Sequence, residues 1–177
     1  MAPMARENET SGLRERLFFA RTLLSSLTSD FNPGAATGPR LALRGAVLFH
    51  LYSVLVGIGR QAARSYRVPD HDEAISVAAL ERKFRDAGIQ APEMTLLTRA
   101  RADRADPVCW LDQQLHAAMG AAGLARRAAA PARDDALAIS AEDPDAPLAE
   151  GDLQRLAKAA ERVAELVEQC AAYMEEW

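Results

Sequence analysis

Arg44 and His50 are the two residues of this chain whose types and spacing come nearest to chemistry. A guanidinium can hold an oxyanion, and an imidazole can take or give a proton near neutral pH. Six residues at about 100° each leave the two side chains roughly 120° apart on one helix, so they point to different neighbours. His50 also shares a stripe with Ala46, Ser53, Gly57 and Gln61. Such a small-residue stripe is where a neighbouring helix backbone comes close. On that reading His50 is a buried or half-buried imidazole bonded to a carbonyl or carboxylate, contributing on the order of 1 kcal/mol. Its chemistry is then packing.

The remaining candidates are weaker. His71 lies among Asp70, Asp72 and Glu73, which resembles a metal cluster in composition only, because adjacent residues diverge; it reads as a solvated loop. His116 follows Asp112 by one turn, the spacing of a surface ion pair. Cys109 and Cys170 form no pair motif and fall at apolar helical positions, where cysteine behaves as a small hydrophobe. Trp110 and Trp177 have no interleaved Lys or Arg and read as packing anchors. No Ser-centred elbow, phosphate loop, His-Glu-x-x-His or Cys-x-x-Cys occurs. The expectation is therefore no catalytic set, no cofactor and no metal, with Arg44 and His50 the only catalytic candidates.

Those residues must be positioned by helices. Nearly half of the 177 residues are hydrophobic and about a fifth are Ala, the best helix former, with no run of alternating β-branched residues. The class is all-α. The first helix is expected from Gly12 to Thr28 behind a Ser11 or Thr10 cap, burying Leu13, Leu17, Ala20, Leu24 and Leu27. Two prolines and two glycines between Asp30 and Pro39 break it. Leu41–Tyr66 follows as a long central helix that leaves the core through Arg60, Arg64 and Arg67, residues expected to be solvated or paired with the acidic last helix. Its longest apolar run, Ala46 to Ile58, is interrupted by His50 and Ser53 and reads as too short for a bilayer.

Ser76 caps a short helix that turns Val77, Leu80, Phe84 and Ala87 inward and closes at Gly88. Pro92 opens another short helix through Leu96, Leu97 and Ala100. Asp106-Pro107 starts a further helix burying Val108, Leu111, Leu115 and Met119. Residues 124–150 read as a mobile connection anchored by Leu137 and Ile139. The last helix, Asp152 to Trp177, carries Leu153, Leu156, Ala160, Val163, Val167, Cys170, Met174 and Trp177 at heptad spacing. This seam serves bundle packing or, alternatively, self-association. The predicted architecture is one domain over 1–177 with a disordered N-terminus at 1–9. It is an up-and-down bundle of four main helices, one end covered by the short pair between 76 and 102.

Charge is unevenly placed along the chain. Residues 1–67 hold nine Lys/Arg against four Asp/Glu, and residues 134–177 hold three against twelve. Docking of the N-terminal helix pair beside the acidic last helix explains this. A nucleic-acid face is disfavoured because the arginines are scattered. The polar N-terminus MAPMARENETSG has no apolar segment of a signal peptide, and a reduced cytoplasmic setting is expected.

Two resemblances add to this reading. Arg44-x5-His50 is similar to the loose signature of HEPN-type helical ribonucleases. There the pair activates a ribose 2′-hydroxyl or stabilises the phosphate, usually across a dimer interface; this chain departs in having Gly45 where a polar residue is favoured. More broadly, Arg16-Leu-Phe-Phe-Ala20, Gly45-Ala-x-x-Phe-His-Leu-Tyr52, Cys109-Trp-Leu111 and Met174-Glu-Glu-Trp177 resemble a family of small all-helical gammaproteobacterial proteins, a domain of unknown function. That resemblance implies an all-helical cytoplasmic protein and supplies no activity and no site residue. The leading expectation is a non-enzymatic protein-interaction or scaffold module. Its rival is a HEPN-like ribonuclease or nucleotide-binding protein using Arg44 and His50. An open groove lined by His50 and an arginine would favour the rival; a buried, isolated His50 would remove it.

Overall fold

The computed structural model describes residues 3–29, 37–120, 123 and 148–175. Among these the protein is all-α: α1 (Pro3–Ser29), α2 (Thr37–Ser65), α3 (Val77–Asp86), α4 (Pro92–Ala102), α5 (Pro107–Ala118) and α6 (Glu150–Glu175), with a 3-10 turn at His71–Glu73. They enclose one core, to which all six helices contribute. The connection expected at 124–150 lies outside the described residues up to 147, with its anchors Leu137 and Ile139, and so do the side chains of Met174 and Trp177.

α1 starts at Pro3, not behind a Ser11 or Thr10 cap, so residues 3–9 are helical where disorder was expected. Met4, Ala5, Arg6, Glu7 and Glu9 are good helix formers, and their combined propensity outweighs the local cap signal. The inward stripe is as expected: Leu13, Leu17, Ala20, Leu24 and Leu27 are all buried.

α2 also begins earlier than expected, at Thr37, with Pro39 inside its first turn. There a missing N–H has no intrahelical partner to lose. At the other end Arg67 takes a left-handed conformation (φ 56), and the Val68 N–H reaches back to Ala63 O at 2.8 Å. This closes the helix as a glycine would. α2 touches every other element. By length and composition it could cross a membrane, which an uninterrupted apolar run understated; half of its most apolar window is buried within the bundle.

Ser76 caps α3 by accepting the Ala79 N–H at 3.1 Å, and Asp106 caps α5 by accepting the Val108 N–H at 2.9 Å. Two expected core residues are outside instead. Ala87 is the exposed C-cap residue of α3, and Met119 follows the last turn of α5 with 70% of its surface open. In both cases the helix ends before its stripe does. α4 packs on α2, α3, α5 and α6 and buries Met94, Leu97 and Ala100. The heptad seam of α6 is consumed inside the chain, with Leu153, Leu156, Ala160, Val163, Val167 and Cys170 all buried.

Candidate functional site

The structure separates Arg44 from His50. Arg44 points into the interface of α2, α5 and α6 and is only 3% exposed. Its Nε donates to Asp152 Oδ2 and its Nη2 to Asp152 Oδ1, both at 2.7 Å, and Nη2 also donates to Gln114 Oε1 at 2.7 Å. Asp152 Oδ2 further accepts the N–H of Leu148, a residue held at φ 71 just ahead of α6. Every one of these contacts is internal. The guanidinium is a clasp between helices, not a group waiting for substrate.

His50 lies on the other face of α2, in an open groove of about 1020 Å³ between α1, α2, the loop before α3 and the end of α5. The walls follow from packing. α1 runs antiparallel to α2, with Phe19 beside His50 (ring centroids 5.9 Å), Arg16 Nη1 on Ser53 O at 3.3 Å and Leu13 against Gly57. A Cβ at Gly57 would stand 2.4 Å from Leu13 Cδ2, so the small-residue stripe does bring α1 close, as its spacing predicts. Yet His50 itself is half-buried, and its ring is flanked by Phe19 and Phe49. No carbonyl or carboxylate holds the imidazole among the described residues, contrary to expectation.

The far wall is a latched loop. Arg60 donates from Nε to Ala74 O at 3.0 Å and from Nη2 to Asp72 O at 2.8 Å. His71 Nδ1 sits 2.9 Å from Val68 O, and its side chain is largely buried, so it is a structural loop residue, not a solvated one. The Tyr52 hydroxyl accepts the first N–H of α3, from Val77, at 3.3 Å. These bonds leave Ile75 projecting at the groove edge, 83% exposed. Burial and then the nearby Asp112 carboxylate push the Tyr52 hydroxyl above its ordinary pKa, so it stays protonated.

Behind the α5 wall, Asp112 is mostly buried and bonds chiefly to Arg101 (3.1 Å), which also holds Glu81 at 2.7 Å. Burial opposes the Arg101 charge, but these two carboxylates outweigh it and raise its pKa. His116 is a looser neighbour of Asp112, at 3.9 Å, and opens onto the groove. The surface ion pair expected there is the edge of a buried network.

Searches of protein families, curated proteins and solved structures find no match for this chain. The groove is therefore judged on its own chemistry. Among the described residues five large hydrophobic side chains are conspicuously exposed, and four of them, Phe19, Phe49, Ile75 and Met119, line it. Arg16, Arg60 and Arg64 stand among them, against Glu15 and Asp72. At the floor, Gln61 is 8% exposed and its Oε1 has no partner among the described residues. Sequence reasoning missed this site because it followed the core stripes. Its signal was the residues off those stripes: Phe18-Phe19 on the outer face of α1, Phe49 beside His50, and Ile75 in a polar loop. Among the described residues no three His, Cys, Asp or Glu side chains converge as metal ligands.

Proposed function

We propose that this chain is a protein-interaction module and that the α1–α2 groove is its docking face. The carrying observation is the gathering of four of the five large hydrophobics exposed among the described residues on one concave surface. Scattered exposed apolar residues are ordinary, but clustered ones rimmed by polar groups mark interaction sites. A photo-crosslinking phenylalanine analogue at position 49, incorporated in the producing cell, should give discrete protein adducts. The same analogue at Gln169, exposed on α6, should not. Identical adducts from both positions, or none from 49, would sink the reading.

A second reading has one observation in its favour: His50 and Arg16 line the same open groove. An imidazole and a guanidinium facing one cleft suit phosphodiester chemistry, although Arg44, the arginine of the ribonuclease-like spacing, is locked elsewhere. That reading expects RNA cleavage by the purified chain that His50→Ala abolishes. Cleavage that persists in the variant, or none in either protein, removes it.

A further inference from the structure

Resting on the docking reading, we infer that the partner at this groove is a second copy of the same chain. The two copies meet in a two-fold contact, with Ile75 of each entering the groove of the other.

The face carries a projection and a hollow side by side. Ile75 stands in water on the loop before α3, and the loop is fastened on both sides of it. Arg60 holds Asp72 O and Ala74 O, and the Tyr52 hydroxyl takes the Val77 N–H. Next to this fixed knob lies the hollow of about 1020 Å³ that Phe19, Phe49 and Met119 line. A surface with both a knob and a hole is complementary to itself. A two-fold axis between them places each knob in the other copy's hole, so that one contact is made twice.

The apolar area is sufficient. Phe19, Phe49, Ile75 and Met119 are each between 42% and 83% exposed, and the open ring of Phe18 lies beside Phe19 with centroids 6.0 Å apart. At about 200 Å² for a large side chain, these five residues leave roughly 600 Å² of apolar surface in water. A stable dimer buries about 800 Å² on each copy, of which about 65% is apolar when the copies are identical. The patch meets that requirement.

Charge favours a second copy over a strongly charged segment. Between Gly45 and Gly59 α2 holds no Asp, Glu, Lys or Arg. The guanidinium groups at the groove are already engaged, Arg16 by Ser53 O, Arg60 by the two loop carbonyls and Arg64 elsewhere in the chain. Glu15 and Asp72 stand among them, so no surplus of one sign is left for a strongly acidic or basic ligand. The other seam suited to self-association, on α6, is consumed inside the chain. Its outward side presents Glu161, Glu165 and Glu168, which oppose a second copy by like charge.

Sedimentation of the full chain tests this. A dimer is expected in the micromolar range, and Phe49→Glu and Ile75→Lys should each weaken it at least tenfold with helical circular dichroism unchanged. Mixing is the sharper measurement. The two-fold contact sets residue 75 of one copy against residue 49 of the other. Ile75→Lys chains mixed with Phe49→Glu chains should therefore regain a dimer, with one contact intact and the other a Lys–Glu pair. A wild-type chain that stays monomeric across the micromolar range would overturn the inference. So would a dimer indifferent to both substitutions, or one that mixing does not restore. The docking reading is judged separately, on the adducts formed from position 49. Under the inference they have twice the mass of the chain. Adducts with a different protein would overturn the inference and keep the docking reading, and no adduct at all would remove both.

Discussion

The two faces of α2 handle their polar and apolar groups in opposite ways. At Arg44 a full charge is buried and its bonds are short: two to Asp152 and one to Gln114, all at 2.7 Å. Around His50 the apolar groups are outside, the imidazole has rings rather than polar partners beside it, and the Gln61 acceptor is unmatched among the described residues. The same helix thus carries a closed site and an open one, within two turns of each other. The closed one explains its own chemistry by holding α6 and Leu148 in place. The open one does not, and the docking face we propose lies there.

The largest effect should come from breaking the closed side. Asp152→Ala leaves the Arg44 guanidinium buried without its carboxylate and releases the Leu148 N–H. Loss of one partner of a buried pair destabilises by about 3–5 kcal/mol. In urea denaturation the midpoint should fall accordingly, while the Arg44→Met, Asp152→Leu double variant should recover much of the loss because no unpaired charge remains. Equal loss in single and double variants would mean that the pair is not the source of the stability.

Next in size is the seam that joins the two faces. Gly57→Val places atoms where Leu13 Cδ2 now lies. Overpacking of this kind costs about 1–3 kcal/mol. Gly57→Ala should cost less, because alanine regains up to about 1 kcal/mol of helix propensity and Leu13 has a flexible end to move. An unchanged thermal midpoint in the valine variant would contradict the close approach of α1.

How far all this was legible depends on what kind of signal each part left. Inward stripes are periodic, so Leu13 to Leu27 and Leu153 to Cys170 could be read directly. Caps are local chemistry, which is why Ser76 and Asp106 perform as their types predict. Helix ends without a strong cap were misjudged, as at Pro3, Thr37 and Met119, since propensity there competes with weak stop signals. The clasp was out of reach: Arg44 and Asp152 lie 108 positions apart, and nothing local ties them. The groove was half visible, since aromatic residues off the core stripe announce an exposed surface but not which surface they share.

A smaller effect tests how dry the core beside α6 is. Burial, then the charge of Glu93, pushes the Cys170 thiol up to about 12 from an ordinary 9.0. Burial raises the Tyr52 and Tyr66 hydroxyls as well. In each case the folded state holds the proton more tightly than the unfolded chain. The stability tied to these protons is complete below pH 9 and is lost as pH climbs from 9 toward the folded values. Urea midpoints measured between pH 8 and 11 should therefore decline, and less steeply in Cys170→Ala. A flat profile would show that the thiol is not shielded.

The smallest expected effect on stability sharpens the comparison most. Phe49 is 58% exposed, and its ring lies against the half-buried His50, centroids 6.0 Å apart. Phe49→Glu should leave the unfolding free energy within about 0.5 kcal/mol of the parent, the range of a surface substitution away from special features. An aromatic side chain kept only for packing would behave otherwise, since truncating buried Phe costs about 3–5 kcal/mol. A near-zero change in the denaturation midpoint, together with loss of groove-dependent crosslinks or self-association, would separate folding from recognition at a single residue. A loss of several kcal/mol would return Phe49 to the core, and with it the argument that α2 has an open side at all.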